Sequence, residues 1–173
     1  MIILNKAIAG VREFTLAGFV ARAKRAAKLP GGVNVLVTSS REMQRLNRRF
    51  RGKDQATDVL SFPAKGVLKS GVAGDIAISA EIARANARRL GHSITQEIQI
   101  LILHGVLHLA GYDHERDNGR MALKEARLRK SLALPVGLIE RNGKQAFVTA
   151  KNAKVAKKAR KRSPRLRATR ATR

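Results

Sequence analysis

Residues 93–114 read SITQEIQILILHGVLHLAGYDH. Ser93 and Gln96 stand at the spacing of a capping box, in which each side chain satisfies the other residue's backbone N–H. Beyond Glu97 the segment is apolar on almost every side. A helix of that kind has to be buried, so 94–110 is expected to cross the centre of the core. Two imidazoles interrupt it. His104 and His108 are i and i+4, which places both on one face, a single turn apart. Gly111 permits a left-handed residue that ends the helix and turns the chain, and the turn can return His114 to the same point in space. Three neutral nitrogen donors would then surround one ion and leave a fourth position for water, the pattern of a catalytic zinc site. The remaining histidine, His92, precedes His104 by a dozen residues, about 18 Å along a helix. It is a poor fourth ligand.

The flanking sequence predicts an α+β fold: a small mixed β-sheet packed with several helices, one of them the buried metal-bearing helix. IIL at 2–4 reads as a short edge strand. Between Glu13 and Lys28 apolar residues recur at helical spacing in two sets, Phe14, Ala17, Ala21 and Leu16, Val20, until PGG at 30–32 stops the segment. VNVLVTS (33–39) is a β-branched strand. Ser39 and Glu42 form a second capping-box pattern, opening a helix with Met43, Leu46 and Phe50 on one face and Arg41, Arg45 and Arg48 on another. TDVLSFP (57–63) and GDIAIS (74–79) read as strands joined by a Lys/Gly-rich connection. Ser79 caps a helix that stops at Gly91, and a last amphipathic helix is expected over roughly 117–134.

Composition narrows the partners. The 173 residues carry a net charge of +24 at 44% hydrophobic content. The core therefore has material, and the charge points to a polyanion, nucleic acid or an anionic surface. No apolar run approaches the ~18 residues of a membrane span, so no membrane partner is expected. The start, MIILNKAIAGVREF, is interrupted by Lys6 and by Arg12 and Glu13, a poor signal peptide. There is no cysteine, hence no thiolate metal site. Residues 141–173 hold thirteen Lys/Arg and no acidic residue. This divides the chain into a single domain, 1–140, and a basic arm, 141–173, too poor in apolar groups to offset its ordering entropy and expected to be disordered and to track phosphates.

The histidine spacing resembles the metzincin protease motif, His-Glu-x-x-His-x-x-Gly-x-x-His, with one departure: position 105 is Gly, where those proteases place the general base. A closer resemblance spans three blocks, LNRRFRGKDQATDVLSFP (46–63), GDIAIS (74–79) and HGVLHLAGYDH (104–114). Together they resemble the YbeY endoribonucleases, also called rRNA maturation factors, over roughly residues 33–134, with the basic arm looking like an addition beyond the usual family ending. The resemblance implies a zinc ion on His104, His108 and His114, with Arg51 as the basic residue near the metal cleft. It implies hydrolysis of single-stranded RNA in 3′-end maturation of small-subunit (16S) ribosomal RNA and in ribosome quality control. Ribosomal RNA and the small ribosomal subunit would be the partners, and the cytoplasm the location.

The residue chemistry agrees. A three-histidine zinc ion lowers the pKa of a bound water to about 7 and polarises a phosphoryl oxygen. A guanidinium such as Arg51, in the glycine-containing turn RGKD (51–54), can stabilise the charge that gathers on phosphorus. The bland alternative for Arg51 is a solvated helix end or a salt bridge to Asp54 or Asp58. Asp58 and Asp75 read as capping residues at strand starts, Tyr112 as packing under the turn, and Asp113 or Glu115 as a candidate proton shuttle. Two other functions fit less well. A metal-dependent hydrolase of another class, such as a peptidase, lacks its base at Gly105 and has no use for the charge. A non-catalytic RNA-binding assembly factor would use the metal only to brace the fold, and three protein ligands without a fourth favour an open site instead.

Overall fold

A computed structural model of the chain describes residues 1–5, 7–64 and 71–135. These fall in the first of the two units into which the chain divides, Met1–Glu140. The basic arm and most of the Lys/Gly-rich connection lie outside the described residues.

Four strands form one mixed sheet: β1 (Ile2–Leu4), β2 (Gly32–Thr38), β3 (Val59–Pro63) and β4 (Val72–Ser79), in the order β1-β2-β4-β3. The first three in that order run parallel, and β3 pairs antiparallel with β4, setting Phe62 opposite Asp75. IIL at 2–4 is an edge strand, as expected. Side-chain alternation sorts the sheet into two faces. Val33, Val35, Val37, Ile76 and Ile78 turn into the main core, while Leu60 and Ala77 pack with Met43 in a smaller one.

Five helices complete the described fold: α1 (Glu13–Ala27), α2 (Ser40–Arg51), α3 (Ala80–Leu90), α4 (Ile94–Leu109) and α5 (Arg120–Ser131). α2 supplies Met43 to the smaller core. α4 lies against β3 and β4 and is walled by α1, α3 and α5. Partners on all sides account for its uniform apolarity: every residue from Ile100 to Leu107 is buried. Burying a Leu or Ile side chain is worth about 1.5–3 kcal/mol, so this one helix anchors the main core. Its start is closed by the full capping box, with Ser93 Oγ accepting from Gln96 N and Gln96 Oε1 from Ser93 N.

Several local expectations are corrected. On α1 the inward stripe is Leu16, Phe19, Val20, Ala23 and Ala27, and Phe14 is 90% exposed. The stripe through Leu16 stays apolar for about three turns, whereas that through Phe14, Ala17 and Ala21 runs on into Lys24 and Lys28. Ser39 caps α2 by accepting from Glu42 N, but the Glu42 carboxylate turns to Arg45 at 3.2 Å, so the box is not reciprocal. Phe50 is exposed, and Asn47 takes an inward place on α2, its amide donating to Gln55 O at 2.8 Å. Asp75 does not start a strand. It lies within β4 and accepts from Asn34 Nδ2 across the sheet. The last helix starts at Arg120 rather than near 117, because the preceding residues form a sequence of turns.

Candidate metal centre

α4 ends in the feature the sequence implied. Gly111 adopts φ 87°, in the left-handed region. Its N–H donates to His108 O, and Tyr112 N–H donates to Leu107 O. Tyr112 then packs against the main core beneath the turn. The chain is held through residue 117 by Asp113, whose carbonyl accepts from Arg116 N and Asp117 N. Asp117 fastens this loop to the first turn of α5, accepting from Gly119 N and Met121 N. His114 is therefore carried on a short, hydrogen-bonded bridge between two helices.

That bridge brings the three histidines together. One ring nitrogen from each of His104, His108 and His114 lies within 4.8 Å of the other two. The Nε2 atoms of His104 and His108 are 3.1 Å apart. Two nitrogens held about 2.0–2.1 Å from a tetrahedral ion stand roughly 3.3–3.4 Å from one another, so the donor set fits a zinc-sized ion. Burial is graded: His104 is buried, His108 half-buried and His114 exposed. The cluster thus opens on its His114 side, which suits a site that takes up a ligand from solution.

Glu125 is the residue that sequence reasoning missed. It is 2% exposed, and its Oε2 lies 3.4 Å from His104 Nδ1. A carboxylate there favours the proton on Nδ1, which leaves the Nε2 lone pair facing the cluster. The available signal was its position on α5, between Met121 and Leu128 on the buried stripe. His92 is engaged elsewhere, its Nε2 2.7 Å from the buried Glu97 carboxylate, and takes no part in the cluster. Arg51 is exposed on the last residue of α2 and lies outside the histidine group; among the described residues it has no ion-pair partner. Asp58 accepts from Val59 N as β3 begins. Asp113 accepts from Glu115 N and faces Arg116 at 3.8 Å, a role in holding the loop.

Gly105 also acquires a physical reason. A Cβ built there would lie 2.8–3.1 Å from three carbons of Ile76. A side chain here would force the Ile76 side chain of β4 to move.

His108 is poised as a neutral donor. Burial, followed by the neighbouring His104 and His114, pushes its imidazole from the ordinary 6.5 down to about 4, with Asp113 pulling the other way. The unfolded chain takes up this proton as pH falls through 6.5, and the folded chain only near 4. The unfolded state therefore binds more protons within that window, and acid favours it. Metal-free protein is expected to lose stability steadily as pH drops from about 6.5 to about 4. Denaturant midpoints across that range measure it, and a His108→Gln variant should show a shallower decline.

The fold and site define a small α+β domain bearing an open three-histidine centre. The family model described as Endoribonuclease YbeY matches residues 6–133, beginning earlier than the three sequence blocks suggested. The chain belongs to the YbeY family. Among its relatives, the endoribonuclease YbeY of Koribacter versatilis is 59% identical over 154 residues, covering 89% of this chain and 99% of that one. That coverage carries the match past Glu140 wherever it begins, so part of the basic segment is shared with this relative. The endoribonuclease YbeY of Solibacter usitatus is 52% identical over 137 residues, 79% of this chain and 90% of the relative. The solution structure of a Thermotoga maritima protein is similar at a TM-score of 0.53 and 31% identity, covering 76% of this chain and 89% of the other.

Proposed function

We propose that this chain is a zinc-dependent endoribonuclease that cuts single-stranded RNA, acting in 3′-end maturation of small-subunit ribosomal RNA and in ribosome quality control in the cytoplasm. The observation that carries the reading is the convergence of His104, His108 and His114, graded from buried to exposed. Zinc held there supplies a Lewis acid and a water of lowered pKa. The chain's own residues do the rest. Two helical imidazoles and one on the α4–α5 bridge would hold the ion, with Glu125 fixing the His104 ring. No helix among the described residues is long and apolar enough to cross a membrane.

Arg51 is assigned the phosphate. It is exposed, so its guanidinium is open to a two-pronged contact with phosphoryl oxygens. Arg51→Ala is expected to leave zinc content and folding unchanged and to lower cleavage by about 10²–10³-fold, the usual cost of losing a positioned charge donor. A fully active variant removes Arg51 from the chemistry. The basic arm, 141–173, is assigned to phosphates beyond the cut site. Truncation after residue 140 is expected to flatten the salt dependence of RNA binding by about 0.7 in log–log slope per lost contact. Equal slopes for the two proteins would assign the arm another role.

The deciding experiment combines elemental analysis of purified protein with cleavage of a defined single-stranded RNA, with and without chelator. One equivalent of zinc and chelator-sensitive cleavage are expected. Bound zinc with no cleavage would instead identify an RNA-binding assembly factor braced by its metal, and no metal would overturn the site.

A further inference from the structure

Phe50 is the penultimate residue of α2 and is 54% exposed, although its companions on that face turn inward, Met43 fully and Leu46 in part. Its ring is not loose on the surface. It stands edge-on to Phe62 at a centroid distance of 5.0 Å, and the Arg49 guanidinium carbon lies 5.3 Å from its centre. The same stretch of chain carries Arg45, Arg48, Arg49, Arg51 and Lys53, all exposed. The nearby carboxylates, Glu42 and Asp54, are set against Arg45 and Arg48 at 3.2 and 4.0 Å. A half-exposed aromatic ring, packed against a second ring, with a guanidinium beside it and a cation-rich segment around it in sequence, has the make-up of a base-stacking platform.

We propose that Phe50, propped by Phe62, stacks an unpaired base of single-stranded RNA while Arg49 holds the adjoining phosphate. The charge favours a polyanion over an apolar or cationic partner. The flat ring favours an exposed base over a duplex, whose bases already stack on each other. Position fits the proposed chemistry, on which this inference rests. Phe62 lies on β3, an edge strand of the sheet. A Cβ built at Gly74 would meet both the Phe62 carbonyl and Leu109 Cδ2, so the backbone under the platform abuts the residue after His108. The platform faces the α2 side of the sheet and the histidines the α4 side. An RNA strand held on Phe50 has the edge of β3 to cross.

The chain contains no tryptophan, so Phe50→Trp in the full-length protein is a single reporter. Titration with a short single-stranded RNA is expected to quench its fluorescence strongly. Phe50→Ala and Phe50→Leu are both expected to bind that RNA about tenfold more weakly, with unchanged zinc content and an unchanged salt slope, since a π-face and not a charge is lost. Phe50→Leu retains an apolar side chain over Phe62 and separates stacking from packing. Unquenched fluorescence while RNA binds with normal affinity overturns the inference. So does an equal loss for duplex RNA, or quenching by an acidic peptide and not by RNA. If the wild-type chain binds no single-stranded RNA at all, the proposed function falls first and this inference with it.

Discussion

His108→Ala is expected to abolish stoichiometric zinc binding and RNA cleavage together. His108 is one corner of a triangle of donors: its Nε2 is 3.1 Å from that of His104, and its ring is 5.2 Å from that of His114. Two remaining imidazoles, one of them exposed, cannot enclose an ion against competing water. A ligand that binds only the folded state stabilises it by about 4 kcal/mol when present at a thousand times its Kd. For a domain of this size that corresponds to roughly 10–15 °C in Tm. Wild-type protein should therefore melt that much higher with zinc than with chelator, and the variant should melt at one temperature in both. Differential scanning calorimetry with elemental analysis reads the two effects at once. A variant that keeps one equivalent of zinc and its zinc-dependent Tm shift would show that the ion is held elsewhere.

Gly105→Glu, which would restore the metzincin pattern, is expected to unfold the protein rather than make it a protease. The position is buried in mid-helix, and even a Cβ would come within 2.8 Å of Ile76 Cδ1 and about as close to two further carbons of that side chain. The carboxylate adds a second cost, because an unpaired charge taken into a dry core is worth several kcal/mol against folding. The sum exceeds about 4 kcal/mol, a large part of the 5–15 kcal/mol that holds a typical domain together. Gly105→Ala isolates the steric part. Alanine favours a helix by about 1 kcal/mol over glycine, yet here overpacking of about 1–3 kcal/mol should outweigh it. Trimming the neighbour with Ile76→Val removes the nearest clashing carbon and should recover part of the loss. Urea denaturation of the three variants tests this, and a Gly105→Glu protein with a wild-type midpoint would refute the close-packing account.

Some of this was open to reading residue by residue. The capping residues Ser39, Ser79 and Ser93 each accept the backbone N–H three positions on, because a cap is decided within one turn. The i, i+4 pair on α4 and the left-handed Gly111 follow from local geometry in the same way. Where two local patterns competed, the sequence did not arbitrate. α1 offered two apolar stripes, and which one faced inward depended on what lay opposite. Residues that meet only through space were harder still. Glu125 reaches His104 across 21 positions and a change of helix, and nothing near it in the chain marks the contact. Phe50 looked like a core position by its spacing, yet it lies 54% exposed against Phe62 of the edge strand β3.

The sequence by itself therefore determined that a buried apolar helix carries two histidines on one face and a third just past its end, because helical period and turn chemistry act over a few residues. Only the tertiary structure decided why position 105 is glycine, which carboxylate steadies His104, and which aromatic ring is left to solvent. Those outcomes depend on how closely α4 packs on Ile76 of β4, on α5 packing against α4, and on which strand lies at the edge of the sheet. Such distances are set by close packing among segments remote in the chain, and no local pattern encodes them.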